Sequence, residues 1–270
     1  MDAKDLIREL SQQGRIEILR NLRGSPRSPS ELSKMDGLTL STASRALNRL
    51  SEFGVVERDD HRCRLTGFGV AIEKILSVIE HLYEYREDIM ALQDFIAILP
   101  PGFVAGFHNL RKAKVMSLEE AFEVGVEKIA SSKRYGLYID KVISHDLYRV
   151  MAERNLAGVE ERAISNHATI HGRANTFKKV LMDMDLTAEE YDTIASKVRV
   201  RVFDTPIQLG IIDGEFALLQ LNDTLDRFYV SDDRDFVRWC EYLFWYLWER
   251  SEDANFPKIV EEVKAEKGLV

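Results

Sequence analysis

Ser28-Pro29-Ser30-Glu31-Leu32-Ser33, then Leu40-Ser41-Thr42-Ala43-Ser44-Arg45-Ala46-Leu47-Asn48-Arg49-Leu50, then Phe53-Gly54-Val55-Val56-Glu57-Arg58 follow in close succession near the start of the chain. The first run is a helix start, with Ser28 as N-cap, Pro29 at the first position and Glu31 at the box position. Asp36-Gly37 is a turn signal that ends this short helix. In the second run, Leu40, Ala43, Leu47 and Leu50 are spaced 3, 4 and 3 apart and share one helical face. The opposite face carries Ser41, Thr42, Ser44, Arg45, Asn48 and Arg49. Gly54 caps that helix.

Upstream, Ile7, Leu10, Ile16, Ile18, Leu19 and Leu22 mark a helical opening segment, weakened at Gly14 and stopped by Gly24-Ser25-Pro26. Downstream, Val55–Arg58 and Cys63–Thr66 alternate as two strands, with Asp59 to Arg62 at the hairpin tip. Arg58, Arg62 and Arg64 lie on or beside it. Helix, turn, helix and basic hairpin in this order predict a winged helix-turn-helix, whose second helix enters the major groove of DNA. Hydroxyls, an amide and guanidinium groups on one rigid face provide hydrogen-bonding groups of different reach for base edges and phosphates. Arg45 and Asn48 are the expected base contacts. Ser30, Thr42, Arg49, Arg58, Arg62 and Arg64 are expected to hold phosphates, with Ser41 and Ser44 completing the DNA-facing set. The alternative is an ordinary helical subdomain with a solvated polar face.

Charge supports the first reading. The 270-residue chain has a net charge of −8, which argues against binding nucleic acid over its whole surface. Residues 1–68, however, hold 12 Lys and Arg against 10 Asp and Glu, while the remainder holds 25 against 35. An acidic remainder repels a phosphate backbone and turns the small domain toward it.

Residues 1–68 resemble winged-helix regulators of the ArsR and MarR type. The resemblance rests on Ser41-Thr42-Ala43-Ser44-Arg45-Ala46-Leu47 at the start of the recognition helix and Gly54-Val55-Val56-Glu57-Arg58 leading into the wing. Two aspartates at the hairpin tip make this wing less basic than is usual in that family, which shifts weight onto Ser41–Arg49.

Beyond the hairpin, Phe68, Ile72, Ile75, Ile79, Leu82, Ile89 and Ile96 follow alternating steps of 4 and 3, with Arg86 and Gln93 in the same register. This predicts one long helix over 67–96. It either packs on its own domain or pairs two copies as a homodimer through residues 68–96, mainly around Leu82, which would set the spacing of two recognition helices. Leu99-Pro100-Pro101-Gly102 is the clearest boundary. Strands are then expected at Arg134–Ile139, Gly158–Ser165, Val198–Phe203, Gln208–Ile212 and Glu215–Leu221, the last two flanking the Asp213-Gly214 hairpin signal. Helices are expected at Asp146–Asn155, Arg173–Met184 and Asp232–Ser251. The fold class is α+β: a winged helix domain over 1–68, a linker and dimerisation helix over 69–98, an α/β regulatory domain over 99–254 and a polar tail over 255–270.

The C-terminal half resembles the sensor domain of archaeal winged-helix regulators, those of methanogenesis and filament growth, with TrmB-like regulators similar in arrangement. The residues that carry this are Leu209-Gly210-Ile211-Ile212-Asp213-Gly214-Glu215-Phe216-Ala217-Leu218-Leu219, Phe228-Tyr229-Val230-Ser231-Asp232-Asp233 and Phe236-Val237-Arg238-Trp239-Cys240-Glu241-Tyr242-Leu243-Phe244. The resemblance implies a phospholipase D-like fold without its chemistry. None of the histidines at 61, 81, 108, 145, 167 or 171 has Lys two residues later, as that reaction needs. No catalytic residue and no cofactor are assigned. The rival readings are a phosphodiesterase-like or other enzyme domain with an accessory DNA-binding module, and a winged-helix module that contacts a protein.

His167 and His171 stand four apart, a spacing that suits a metal on a helix, but the segment reads as a strand-to-helix loop with no nearby Cys or Glu to complete a site. Together with Arg173 and Lys178 they instead offer an anionic-ligand site at a helix start. Tyr138, Asp140 and His145 form a second candidate effector rim at the end of the strand expected at Arg134–Ile139, where open sheets bind ligands. Capping and surface roles remain the plain alternatives for both. Cys63 and Cys240 are far apart without metal-type spacing, so free thiols are expected. With no membrane-length apolar run and no signal pattern, the expected setting is cytoplasmic, and the expected partners are double-stranded DNA, a small-molecule effector and a second copy of the chain.

Overall fold

The computed structural model describes residues 2–35, 37–221 and 226–269, with Asp140 described in its backbone alone. The chain divides into two compact units, Met1–Glu84 and Tyr85–Val270. It is of mixed α and β type, with a mainly helical first unit and a second unit built on a sheet.

The first unit comprises α1 (Ala3–Leu10), α2 (Arg15–Leu22), α3 (Pro29–Met35), α4 (Leu40–Glu52), β1 (Val56–Asp59), β2 (Arg62–Leu65) and α5 (Gly67–Glu84). The opening segment is two helices rather than one. Gly14 sits between them at φ 79°, and a Cβ there would fall 2.7 Å from Leu38, so only glycine turns the chain here without strain. The Ser28 box forms as its sequence predicts: Ser28 N donates to Glu31 Oε2 at 2.6 Å, and Glu31 N donates to Ser28 Oγ at 3.2 Å. The Asp36 half of the turn that follows lies outside the described residues. Thr39 caps α4, accepting from Thr42 N at 3.1 Å. Ala46, Leu47 and Leu50 bury against Ile18, Leu19, Leu32 and Val55, and Ala43 is buried as well.

Leu40 departs from its expected face. It is 54 % exposed, because the first residue of the helix projects past the core into a groove beside the hairpin. The hairpin is tighter at its tip than the sequence predicts. Asp59 pairs with Arg62, so only Asp60 and His61 turn the chain, with Asp60 at φ 52°. Arg27 adds a bridge on the outer side of β2, exchanging backbone bonds of 2.9 and 2.7 Å with Cys63.

The single helix expected over 67–96 does not form. α5 ends at Glu84, Tyr85 leaves helical geometry at φ −100° and ψ 16°, and two short helices follow, α6 (Arg86–Met90) and α7 (Gln93–Ile98). Tertiary contacts override the heptad pattern. The Tyr85 ring meets Tyr229 edge-on with centroids 5.9 Å apart, and Asp88 accepts from Tyr229 Oη at 2.8 Å and pairs with Arg227 at 3.3 Å. Ile89 and Ile96 therefore belong to the second unit. The unit division falls after Glu84, whereas the sequence places the linker at 69–98.

The second unit continues with α8 (Pro101–Gly106), a 3-10 turn (Phe107–Lys112), β3 (Lys114–Met116), α9 (Leu118–Ala130), β4 (Tyr135–Asp140), α10 (His145–Leu156), β5 (Glu160–Ser165), α11 (Ile170–Asp183), α12 (Ala188–Lys197) and β6 (Val198–Val202). It ends with β7 (Gln208–Ile212), β8 (Phe216–Gln220), β9 (Phe228–Ser231), α13 (Arg234–Trp248), β10 (Glu252–Asp253) and α14 (Pro257–Glu266). Eight strands form one sheet in the order β10-β6-β5-β4-β7-β8-β9-β3. β4, β5 and β6 are parallel, and every other pairing is antiparallel. Side chains alternate across it. Tyr138, Ala163, Val200, Ile212 and Phe228 share a core with α9 to α12 and α14. α13 packs against β4, β7 and β8 and buries Phe236, Cys240, Leu243 and Phe244. Cys63 and Cys240 are both free and buried.

One more expectation is revised here. The polar tail over 255–270 contains α14, because Phe256, Val260 and Val263 fall at helical spacing and are buried in the sheet core. α9 and α12 add two helices beyond those expected, each opening on a capping box, Ser117 with Glu120 and Thr187 with Glu190.

Candidate nucleic-acid interface

α4 presents Ser41, Arg45, Asn48 and Arg49 to solvent, with Thr42 and Ser44 half-buried beside them. At its N-terminus the hydroxyls of Ser41 and Thr42 lie 3.0 and 2.8 Å from Thr39 Oγ1. A groove of about 360 Å3 runs between this end of α4, the start of α3 and the hairpin, lined among others by Ser30, Leu40, Ser44, Arg58, His61 and Arg62.

The arginines of this face differ in what already holds them. Arg49 pairs with Glu52, lies 3.8 Å from Glu9 and covers the Phe53 ring at 5.7 Å. Arg64 holds Glu57 across the hairpin at 2.6 Å. Arg62 lies 3.8 Å from Glu31 and donates to the Pro26 carbonyl at 3.3 Å. Glu31 stays ionised for this contact, since the Ser28 backbone N–H and then its hydroxyl hold its carboxyl below the ordinary value, with help from Arg62. Arg58 approaches Cys63, whose thiol is raised by burial against the pull of that guanidinium. Among the described residues, Arg45 and Asn48 have neither a hydrogen-bond nor an ion-pair partner for their side chains.

Glu9 explains the geometry behind this face. It is buried at the end of α1, accepts from Arg15 Nε of α2 at 2.7 Å and lies near Arg49 of α4. One carboxylate thus ties three helices, and Arg49 contributes to fixing α4 in place. Sequence spacing along α4 put Arg49 on the polar face but could not show that Glu9, forty residues earlier in the chain, claims it.

Of the effector candidates in the second unit, His171 and Arg173 line one void, and Tyr138, His145 and His167 are not among the residues that line it. Tyr138 lines an apolar cleft beneath α9. Burial first, then the Glu161 carboxylate, pushes its phenol well above the ordinary value, so it remains a neutral donor. His145 Nε2 lies 3.1 Å from Asp183 Oδ2, and His167 Nδ1 lies 3.1 Å from Asp204 Oδ2. His167 precedes α11 while His171 sits in its first turn and lines a different void with Phe177 and Phe256. The expected anionic site at Arg173 is corrected by burial: Arg173 is 3 % exposed, donates to Glu161 at 2.8 Å and lies 5.3 Å over the Tyr148 ring. Lys178 is taken by Glu262 and Glu266. The Asp140 side chain lies outside the described residues. Among the described residues no cluster of three His, Cys, Asp or Glu is placed to hold a metal, and no helix is long and apolar enough to cross a membrane.

With a three-helix face and hairpin in view, the first unit belongs to the architectural class of small helical units that present one helix beside a β-hairpin. A family model described as the HVO_A0261 N-terminal domain matches residues 4–87. No curated protein matches the chain. Among solved structures, TrmBL2, an archaeal chromatin protein whose structure shows a novel mode of DNA binding, is 15 % identical, with 93 % of this chain and 100 % of that chain covered and a TM-score of 0.41. NucT from Helicobacter pylori is 11 % identical over 53 % of this chain and 98 % of its own, with a TM-score of 0.40. An O-methyltransferase family protein from Burkholderia thailandensis is 14 % identical over 75 % and 79 %, with a TM-score of 0.27. At this distance these likenesses assign no residue and no activity.

Proposed function

We propose that this chain is a DNA-binding transcriptional regulator, with the first unit acting as a winged helix-turn-helix and the second sensing an effector. The observation that carries the reading is the pair Arg45 and Asn48, exposed on α4 without internal partners beside the hairpin groove. An arginine suits guanine and an asparagine suits adenine in the major groove. Ser30, Ser41, Thr42 and Ser44 supply hydroxyls to the backbone, and Arg58 reaches it from the hairpin. The chain acts as a homodimer through the outer face of α5, where Phe68, Ile75 and Ile79 are 48 %, 56 % and 55 % exposed on one side. Ile72 and Leu76 instead pack on the core of their own unit. In this reading the second unit does no chemistry.

Genomic fragments recovered with the purified protein, followed by gel shifts across salt, test the proposal. A DNA binder weakens steeply as salt rises, because contacted phosphates release counterions. Retention that is indifferent to salt and to sequence would instead assign the α4 face to a protein partner.

A further inference from the structure

The void between α11 and α14 is the strongest unassigned feature of the second unit. Phe177, Val200 and Phe256 close its floor, each no more than 3 % exposed. His171, Asn255, Lys258 and Glu262 stand exposed around its mouth. The inside is therefore apolar and the opening polar, which suits a ligand of the same two-part character.

The charges around the void leave one sign uncancelled. Arg173 lines the wall, but Glu161 holds its guanidinium at 2.8 Å. Glu262 is paired in turn with Lys178 at 3.4 Å. Lys258 has no ion-pair partner among the described residues. The His171 ring and the Asn255 amide have no hydrogen-bond partner among them either. One ammonium and two further hydrogen-bonding groups thus share the mouth, and a carboxylate accepts from all three. The Glu262 carboxylate beside them opposes a second negative charge on the same ligand.

Size limits the part that enters. The void is about 200 Å3, somewhat larger than the dry void of about 150 Å3 that accepts benzene. One six-membered ring fits with room for its substituent. Phe177 and Phe256 already meet edge-on at the floor, with centroids 5.0 Å apart and planes at 81°. A third flat ring extends that packing.

We infer that this void binds a monocarboxylate with a single-ring apolar body, its ring on Phe177 and Phe256 and its carboxylate at the mouth with Lys258. This deepens the reading of the second unit as an effector domain and rests on it for its regulatory meaning. The cation that receives the ligand comes from α14, because the charge of Arg173 is already matched inside the core.

Calorimetric titration of the full chain with benzoate, benzamide and acetate tests this. The expected result is one site for benzoate, about fivefold tighter than for benzamide, which has the ring without the charge. Acetate, with the charge and no ring, gives no measurable binding. Lys258→Gln, at an exposed position that leaves the fold alone, brings benzoate down to the level of benzamide and does not change benzamide. Ala174→Leu, at a half-buried position in the wall, fills the void and abolishes both. Thermal unfolding verifies that each variant is folded. Absence of a benzoate site, benzamide binding as tightly as benzoate, or benzoate affinity unmoved by Lys258→Gln overturns the assignment. Gel shifts with and without benzoate separate the two proposals. Benzoate that binds while DNA affinity stays constant upholds the site and removes its regulatory role. DNA binding without any benzoate site upholds the regulator and removes the site.

Discussion

Arg45 and Arg49 lie one turn apart on α4, yet only Arg45 is free of internal carboxylates among the described residues. Their substitutions are therefore expected to differ. Arg45→Ala loses about 1–3 kcal/mol of discrimination between operator and random DNA. Arg49→Ala lowers the unfolding stability by about 1 kcal/mol and leaves that discrimination in place. Competition gel shifts and urea titrations on both variants read the two effects, and equal loss of specificity in both would merge their roles. In the second unit, Arg173 and Glu161 are both buried. Burial pushes the Glu161 carboxyl up to about 8, so without Arg173 it takes a proton and loses its buried partner, and Arg173→Ala is expected to destabilise by about 3 kcal/mol. A urea midpoint within error of the parent would show that the buried carboxylate is satisfied by other means.

At the scale of elements, local signals were legible where one residue type fixes the backbone. The Ser28 box, Gly54 and the Asp213-Gly214 turn all stand where the sequence places them. Their partners were not legible, because those come from distant segments. Asp213 is an example. Its carboxylate accepts from the backbone N–H groups of Lys133, Arg134 and Tyr135 at 2.8, 2.7 and 3.0 Å, pinning the β7–β8 turn to the start of β4. Burial alone would raise this carboxyl, but the three N–H groups outweigh it and hold it below its unfolded value of 3.8. A depressed carboxyl stabilises the fold above the unfolded value and loses that contribution as pH falls through the lower folded one. Asp213→Ala is expected to cost about 2–3 kcal/mol at neutral pH and to flatten the stability loss in acid. Urea unfolding of parent and variant at pH 7 and pH 3 measures this, and parallel acid profiles would refute it. The heptad over 67–96 failed for the same reason: its period is local, and Tyr229 and Arg227 ended the helix from afar.

On the scale of the whole molecule, the concentration of acidic charge beyond residue 68 was readable from composition, and the layered core of the second unit was readable from its alternating strands. The surroundings of the effector candidates in that unit were not, because Tyr138, His167 and Arg173 meet partners from distant segments. Association through α5 has a direct test. Ile79→Asp places a charge in the exposed stripe of Phe68, Ile75 and Ile79. It is expected to yield monomers in sedimentation and to weaken operator binding by about tenfold or more, since two half-sites no longer act together. A variant that remains dimeric would move the contact elsewhere.

The sheet of the second unit ends in β10, two residues long and acidic, and in β3, three residues long and opened by Lys114. Short, charged borders offer little backbone for a foreign strand to copy. These borders direct the proposed association of copies to helical surfaces such as the outer face of α5, and not to the sheet.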